Sequence, residues 1–267
     1  FHHSLHSLLT GETSGYYEDF SGISKLAKSI KHVFVNDGTY SSYRKAIHGR
    51  KILHENGQKF LSYIQNHDQV GNRATGTRIG QLVSHGKAKI AAALVLTSPF
   101  IPMLFQGEEF NASSPFLYFT DVSDEKLANS ISRGRKDEFS AFGWKPEEIP
   151  DPQSEKTFID SKLDWSQINR PPHKEMLDWY KKLIQIRKTY PQLSDGSLED
   201  IAVDCDESKN FICIRRGPIK IIANISDEPY AYPVNADSQV IIKSAESVKI
   251  ENSILSMLPE SVVILYD

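Results

Sequence analysis

The stretch Phe60-Leu61-Ser62-Tyr63-Ile64-Gln65-Asn66-His67-Asp68-Gln69-Val70 sets an apolar run directly in front of an imidazole and a carboxylate. A short run of aromatic and aliphatic residues reads as a buried strand, here over 60–66, so Asp68 falls where a strand exits into a loop. Charged groups at such exits seldom serve packing. Two readings of Asp68 are open: a catalytic or substrate-binding carboxylate, or an Asx turn or helix N-cap at the junction.

Downstream, Gly86 to Leu96 is dominated by Ala and Leu, the strongest helix formers, and Pro99 marks its end. Ile101 to Phe105 is short, apolar and bounded by breakers, which predicts a second strand, with Gly107-Glu108-Glu109 at its exit. Glu108 and Glu109 either line a cleft or form an acidic pair at a helix N-terminus. Strand, helix, strand with acidic groups at both exits is the grammar of an α/β barrel, whose active site lies at the C-terminal ends of its strands.

Upstream, His2 to Leu9 reads as a strand end running into a loop or short helix. The apolar spacing of Ile23, Leu26, Ala27, Ile30, Val33 and Phe34 predicts a helix, and 36–42, rich in Asn, Asp and Gly, predicts a loop. Residues 124–139 and 174–188 predict two amphipathic helices whose stripes face a core, the second through Met176, Leu177, Tyr180, Leu183, Ile184 and Arg187. The Pro- and Asp-rich stretch 145–160 between them reads as irregular. After Pro191 short β-rich runs alternate with turn residues, which predicts a small antiparallel β domain over 193–267.

The 267 residues carry 31 basic and 34 acidic side chains, a formal charge of −3, with no basic face for nucleic acid. The longest apolar stretch, Ile90 to Leu96, is far short of the ~20 residues a membrane span needs. A soluble, cytoplasmic protein with no nucleic-acid or membrane partner is expected. Cys205 and Cys213 flank the turn 207–210, and a three-residue loop centred on Lys209 sets them opposite each other; reduced thiols are expected in a cytosol. Two cysteines imply no metal site. His2 and His6, four residues apart, have no Glu-x-x-His context, so hydrogen-bonded or sugar-facing imidazoles are expected rather than a zinc site.

Asn66-His67-Asp68 resembles the last short motif of the α-amylase superfamily, glycoside hydrolase family 13. Longer stretches are similar to one trehalose-releasing branch of it: Met103 to Phe110, Tyr118 to Asp121, Arg133 to Phe139, Phe142-Gly143-Trp144, and Pro150-Asp151-Pro152 through Trp165. Phe1 to His6, Leu9 to Glu12 and Gly15-Tyr16-Tyr17 match it as well, so the likeness runs over nearly all of 1–195. The resemblance implies an α/β chain holding the last strands and helices of a (β/α)8 TIM barrel over 1–192, followed by the β domain. It implies Asp68 as a transition-state stabiliser, with His67 and Gln69 on the substrate, and His2, His3, Tyr16 and Tyr17 as further sugar contacts.

No cofactor and no obligatory calcium are expected. The implied substrate is maltooligosyl trehalose. The implied nucleophile and general acid come from earlier barrel strands, so the chain, which opens at Phe1 inside a family-like motif, reads as a piece whose partner is the N-terminal half of the same enzyme. A non-catalytic carbohydrate-binding or structural fragment, and a glycogen-branching enzyme of the same superfamily, are the alternatives.

Overall fold

The computed structural model describes residues 1–140 and 143–267; Phe142 of the Phe142-Gly143-Trp144 motif lies outside the described residues. The chain forms two compact units, one of Phe1–Ile64, Val83–Met103 and Asp178–Asp267, the other of Gln65–Leu82 and Leu104–Leu177.

The first unit contains α1 (His2–Thr10), α2 (Ile23–His32), the hairpin β1 (Asp37–Ser41) and β2 (Ala46–Gly49), and strand β3 (Leu61–Ser62). In the second unit lie α3 (His67–Gly71) and α4 (Ile79–Leu82); α5 (His85–Thr97) and β4 (Ile101–Pro102) return to the first. The second unit also holds α6 (Glu125–Ser140) and α7 (Glu155–Asp160). The chain then runs through α8 (His173–Thr189) into β5 (Ile201–Asp206), β6 (Phe211–Arg216), β7 (Ile219–Asn224), β8 (Tyr230–Pro233), β9 (Gln239–Lys243), β10 (Lys249–Glu251), β11 (Ile254–Met257) and β12 (Ser261–Tyr266).

In the first unit, α5 is apolar all round and buried from Ile90 to Thr97, as such helices must be. Ser84 caps it, its Oγ accepting from Lys87 N at 3.1 Å. At the far end the orphan carbonyls are met by two arginines. Arg187 donates to Leu96 O at 2.8 Å, Ser98 O at 2.9 Å and Phe100 O at 2.8 Å, and Arg216 to Thr97 O at 3.0 Å. Arg187 thus stands on the predicted apolar stripe of α8 because a helix C-terminus needs donors there. Beside α5, β3 pairs with β4 in parallel, Leu61 opposite Ile101.

The strands after Pro191 build two antiparallel sheets, ordered β5-β6-β7-β12-β9 and β10-β11-β8. Phe211, Cys213, Ile222, Val263 and Leu265 of the larger sheet pack on Leu255 and Met257 of the smaller. The alternate residues Ile212, Ile221, Ala223, Val262 and Ile264 are equally buried, on the face that meets α2 and α5. Burial on both faces explains why these strands read as continuous apolar runs.

The second unit is helical, and the long loops between its helices lean on buried arginines. Arg78, 1 % exposed, donates through Nε to Ser114 O and through Nη1 to Gln106 O, both at 2.7 Å. Its charge is pushed down by burial and held up by the nearby Glu108 and Glu109. A guanidinium fork suits loop carbonyls that have no ladder to join.

Several expectations need correction. Residues 36–42 are not a loop: Asp37–Ser41 is a strand, although exposed and polar, held by pairing with β2 and by Ser42 N donating to Asp19 at 2.8 Å. His2 to Leu9 is a helix, the second of the two forms expected after a strand end. The strands predicted over 60–66 and 101–105 are each two residues long. Helix 23–34 stops at His32, because Val33 turns to φ 69°. The stripe of α6 reaches a core only near its end, where Phe139 packs with Ala74 and Ile149, and Arg135 is the other buried residue on it. Within 145–160, Glu155–Asp160 is helical. The cysteines are not opposed; Cys205 pairs with Ile212 and Cys213 with Asp204, an offset of one residue that sends them to opposite faces, and both are free.

Candidate functional site

Strand β3 ends at Ser62, before the motif begins in the second unit. Asn66 is the N-cap of α3: its Oδ1 accepts from Asp68 N at 2.8 Å, and Gln69 Oε1 accepts from Asn66 N at 2.9 Å, completing a capping box. The cap proposed for Asp68 is therefore filled by Asn66. Asp68 is left in the first helical turn with its side chain 66 % exposed, and Nε2 of His67, whose side chain is 71 % exposed, lies 3.4 Å from Asp68 Oδ1. Gln69, expected on the substrate, commits its carbonyl oxygen to the cap. The preceding Gln65 is buried, its Oε1 accepting from Ile79 N at 2.9 Å. The capped turn thus presents a carboxylate and an imidazole side by side to solvent.

Glu108 and Glu109 open a short 3-10 turn, Glu108–Phe110, after Gly107 at φ 83°. Glu108 is buried, so of the two readings for this pair the turn N-terminus describes it better than a cleft lining.

In the first unit, His2, His3 and Tyr16 line a cavity of about 560 Å³ together with Phe34, Tyr43 and Tyr63. His2 is buried and stacked on Tyr63, with ring centroids 4.6 Å apart. His3 sits among Tyr16 at 5.5 Å, Tyr17 at 5.5 Å and Phe20 at 4.9 Å. Tyr16 is half exposed, whereas Tyr17 is buried with His6 stacked on it at 4.7 Å. His6 is 2.9 Å from Glu12. Burial pushes the His2 imidazole well below the usual histidine range and the His3 imidazole down to about 4, so both rings are neutral near pH 7. They can offer hydrogen bonds and ring faces but no positive charge. Among the described residues no group of three or more His, Cys, Asp or Glu side chains is placed to hold a metal ion.

The family model "Alpha amylase, catalytic domain" matches residues 18–196. The chain belongs to the alpha-amylase family. Within that family it is 37 % identical to the malto-oligosyltrehalose trehalohydrolase of Rhizobium sp. (strain M-11), over 100 % of this chain and 45 % of that protein. It is 49 % identical to the enzyme of the same name from Saccharolobus solfataricus, over 71 % of this chain and 32 % of that one. A crystal structure of a putative alpha amylase from Salmonella typhimurium superposes with a TM-score of 0.85 at 31 % identity, over 100 % of this chain and 45 % of that structure. The chain therefore spans about 45 % of the length of the first of these alpha-amylase relatives. Among its described residues no helix is long and apolar enough to cross a membrane.

Sequence reasoning missed the supports of the site rather than its exposed members. Asn66 and Gln69 carried a legible signal, a polar cap with Gln three residues on. Arg78 carried none, because nothing local distinguishes a buried arginine from a solvated one.

Proposed function

We propose that this chain is the C-terminal part of a retaining glycoside hydrolase that cleaves the α-1,4-glucosidic bond next to the terminal trehalose of maltooligosyl trehalose, releasing trehalose. In this reading residues 1–192 belong to the catalytic barrel, residues 193–267 form the β domain behind it, and the N-terminal half of the same enzyme supplies the nucleophile and the general acid. A retaining enzyme holds those two carboxyl groups about 5–5.5 Å apart. Asp68 is the third carboxylate. As the bond breaks, the ring gains oxocarbenium character, and a fixed negative group stabilises that state more than the ground state. His67 hydrogen-bonds a sugar hydroxyl beside it, and His2, His3 and Tyr16 contribute neutral donors and ring faces to sugar. Water is the second substrate, and no cofactor takes part.

The observation that carries this reading is the exposure of the His67-Asp68 pair on a turn whose caps are made by other residues. A carboxylate used for packing is paired inside; this one is held out. The test is trehalose release from maltotriosyl trehalose by the full-length enzyme and its Asp68→Asn variant. A loss of about 10²–10³ in kcat is expected, the size seen when one preorganised transition-state contact is removed. Unchanged release by the variant overturns the reading, new α-1,6 branches indicate a branching enzyme, and oligosaccharide binding without cleavage indicates a non-catalytic module. The 267 residues assayed alone are expected to release no trehalose.

A further inference from the structure

The sequence motif Arg133-Gly134-Arg135-Lys136-Asp137-Glu138-Phe139 has no part in the chemistry above, yet it contains a buried charge. Arg135, on α6, is 8 % exposed. Its Nη2 donates to Gly71 O and, at 3.3 Å, to Arg73 O. Its guanidinium lies over Phe139, 4.4 Å from the ring centre, and over Tyr118 at 5.1 Å, and Nη1 is 3.4 Å from Glu138. Burial lowers its basicity, and Glu138 opposes that.

The two carbonyls it grips close the turn that presents Asp68. Gly71 is the last residue of α3, and Asn72 N donates back to Asp68 O at 2.9 Å. A five-residue helix fixes few hydrogen bonds against the entropy of ordering it and does not persist unaided. Here its N-terminus is locked by the Asn66-Gln69 box and its C-terminus by Arg135. Two aromatic faces offset the desolvation of the cation and fix the plane of its fork. Lysine has no planar group to seat against Phe139 and Tyr118, and no second nitrogen to face Glu138 while the first holds the carbonyls.

We infer that Arg135 is a positioning residue for Asp68: it clamps the C-terminal end of α3 and thereby sets where the carboxylate stands, an inference that rests on the proposed role of Asp68. It does not touch substrate.

The experiment is a double-mutant cycle in the full-length enzyme with maltotriosyl trehalose, using Arg135→Lys, Asp68→Asn and the pair. Arg135→Lys is expected to lower kcat about tenfold with KM within twofold, and amide hydrogen exchange over residues 67–73 is expected to quicken. On the Asp68→Asn background the same change is expected to lower kcat no further, because its effect passes through that carboxylate. A full tenfold loss on both backgrounds, or unchanged kcat and exchange, overturns the inference while Asp68 keeps its role. Wild-type turnover by Asp68→Asn removes the role of Asp68 and the inference with it. Should Arg135→Lys fail to fold, Phe139→Leu, which removes one face from the guanidinium, is expected to show the same cycle at smaller amplitude, and additivity there overturns the inference equally.

Discussion

The His67-Asp68 turn of the second unit and the His2-His3-His6 cluster of the first carry similar side chains in opposite surroundings. On the turn, an imidazole and a carboxylate are about two-thirds exposed, while their neighbours Asn66 and Gln69 do the structural work. In the cluster, His2 and His6 are buried and stacked on tyrosines, and the imidazoles themselves are part of the packing. A polar side chain near a site is therefore read by what else it must hold. Where a separate residue makes the cap, the charged group is released for chemistry; where the ring of His2 fills a core, burial suppresses its charge and only its face and a donor remain.

Asp68→Asn breaks the comparison most sharply. Its kcat loss of about 10²–10³ should come with a change in unfolding free energy within about 0.5 kcal/mol, as for exposed substitutions generally. A urea midpoint well below the wild type's removes the distinction between the two regions. His2→Ala reverses the pattern, with a stability loss of about 1–3 kcal/mol from an emptied stacking site against Tyr63. A stability equal to the wild type's shows that the stack contributes nothing.

The pH dependence of folding gives the next effect. His3 is held at about 4 in the folded chain against an ordinary 6.5, so between those values the unfolded chain binds more protons. Stability is full above about pH 6.5 and declines as pH falls toward about 4, with buried His2 acting in the same direction. Urea midpoints measured from pH 7 to 4 check this, and His3→Phe is expected to flatten the decline; a steeper decline in that variant has the wrong sign. Asn66→Ala gives the smallest effect, about 1 kcal/mol for a lost N-cap, read by thermal unfolding. It sharpens the comparison because the same variant is expected to lower kcat, as the cap and the exposed pair share one turn.

Much of the architecture was legible because it is written locally. The helices α2, α5, α6 and α8 follow from apolar spacing and breakers, and the β-rich character after Pro191 from runs of Ile and Val. The Asn66-His67-Asp68 motif was legible as a candidate site. The hairpin of β1 and β2 was not, because its polar residues carry no strand periodicity and are held by pairing and by Asp19 from another segment. Nor was the buried arginine on the stripe of α6, because apolar spacing announces Phe139 but not a charge beside it.

By itself the sequence determined which segments coil or extend, and it set a carboxylate beside an imidazole, since both depend on neighbours a few residues apart. Tertiary structure alone decided which polar groups serve the fold and which face water. Arg187 meets carbonyls at and beyond the end of α5, Arg135 those of Gly71 and Arg73 at and beyond the end of α3, and Cys205 and Cys213 take opposite faces of one sheet. Such assignments rest on burial and on partners distant in sequence: a charge buried against carbonyls persists only where the fold supplies them, and a one-residue shift in pairing reverses the face a side chain meets.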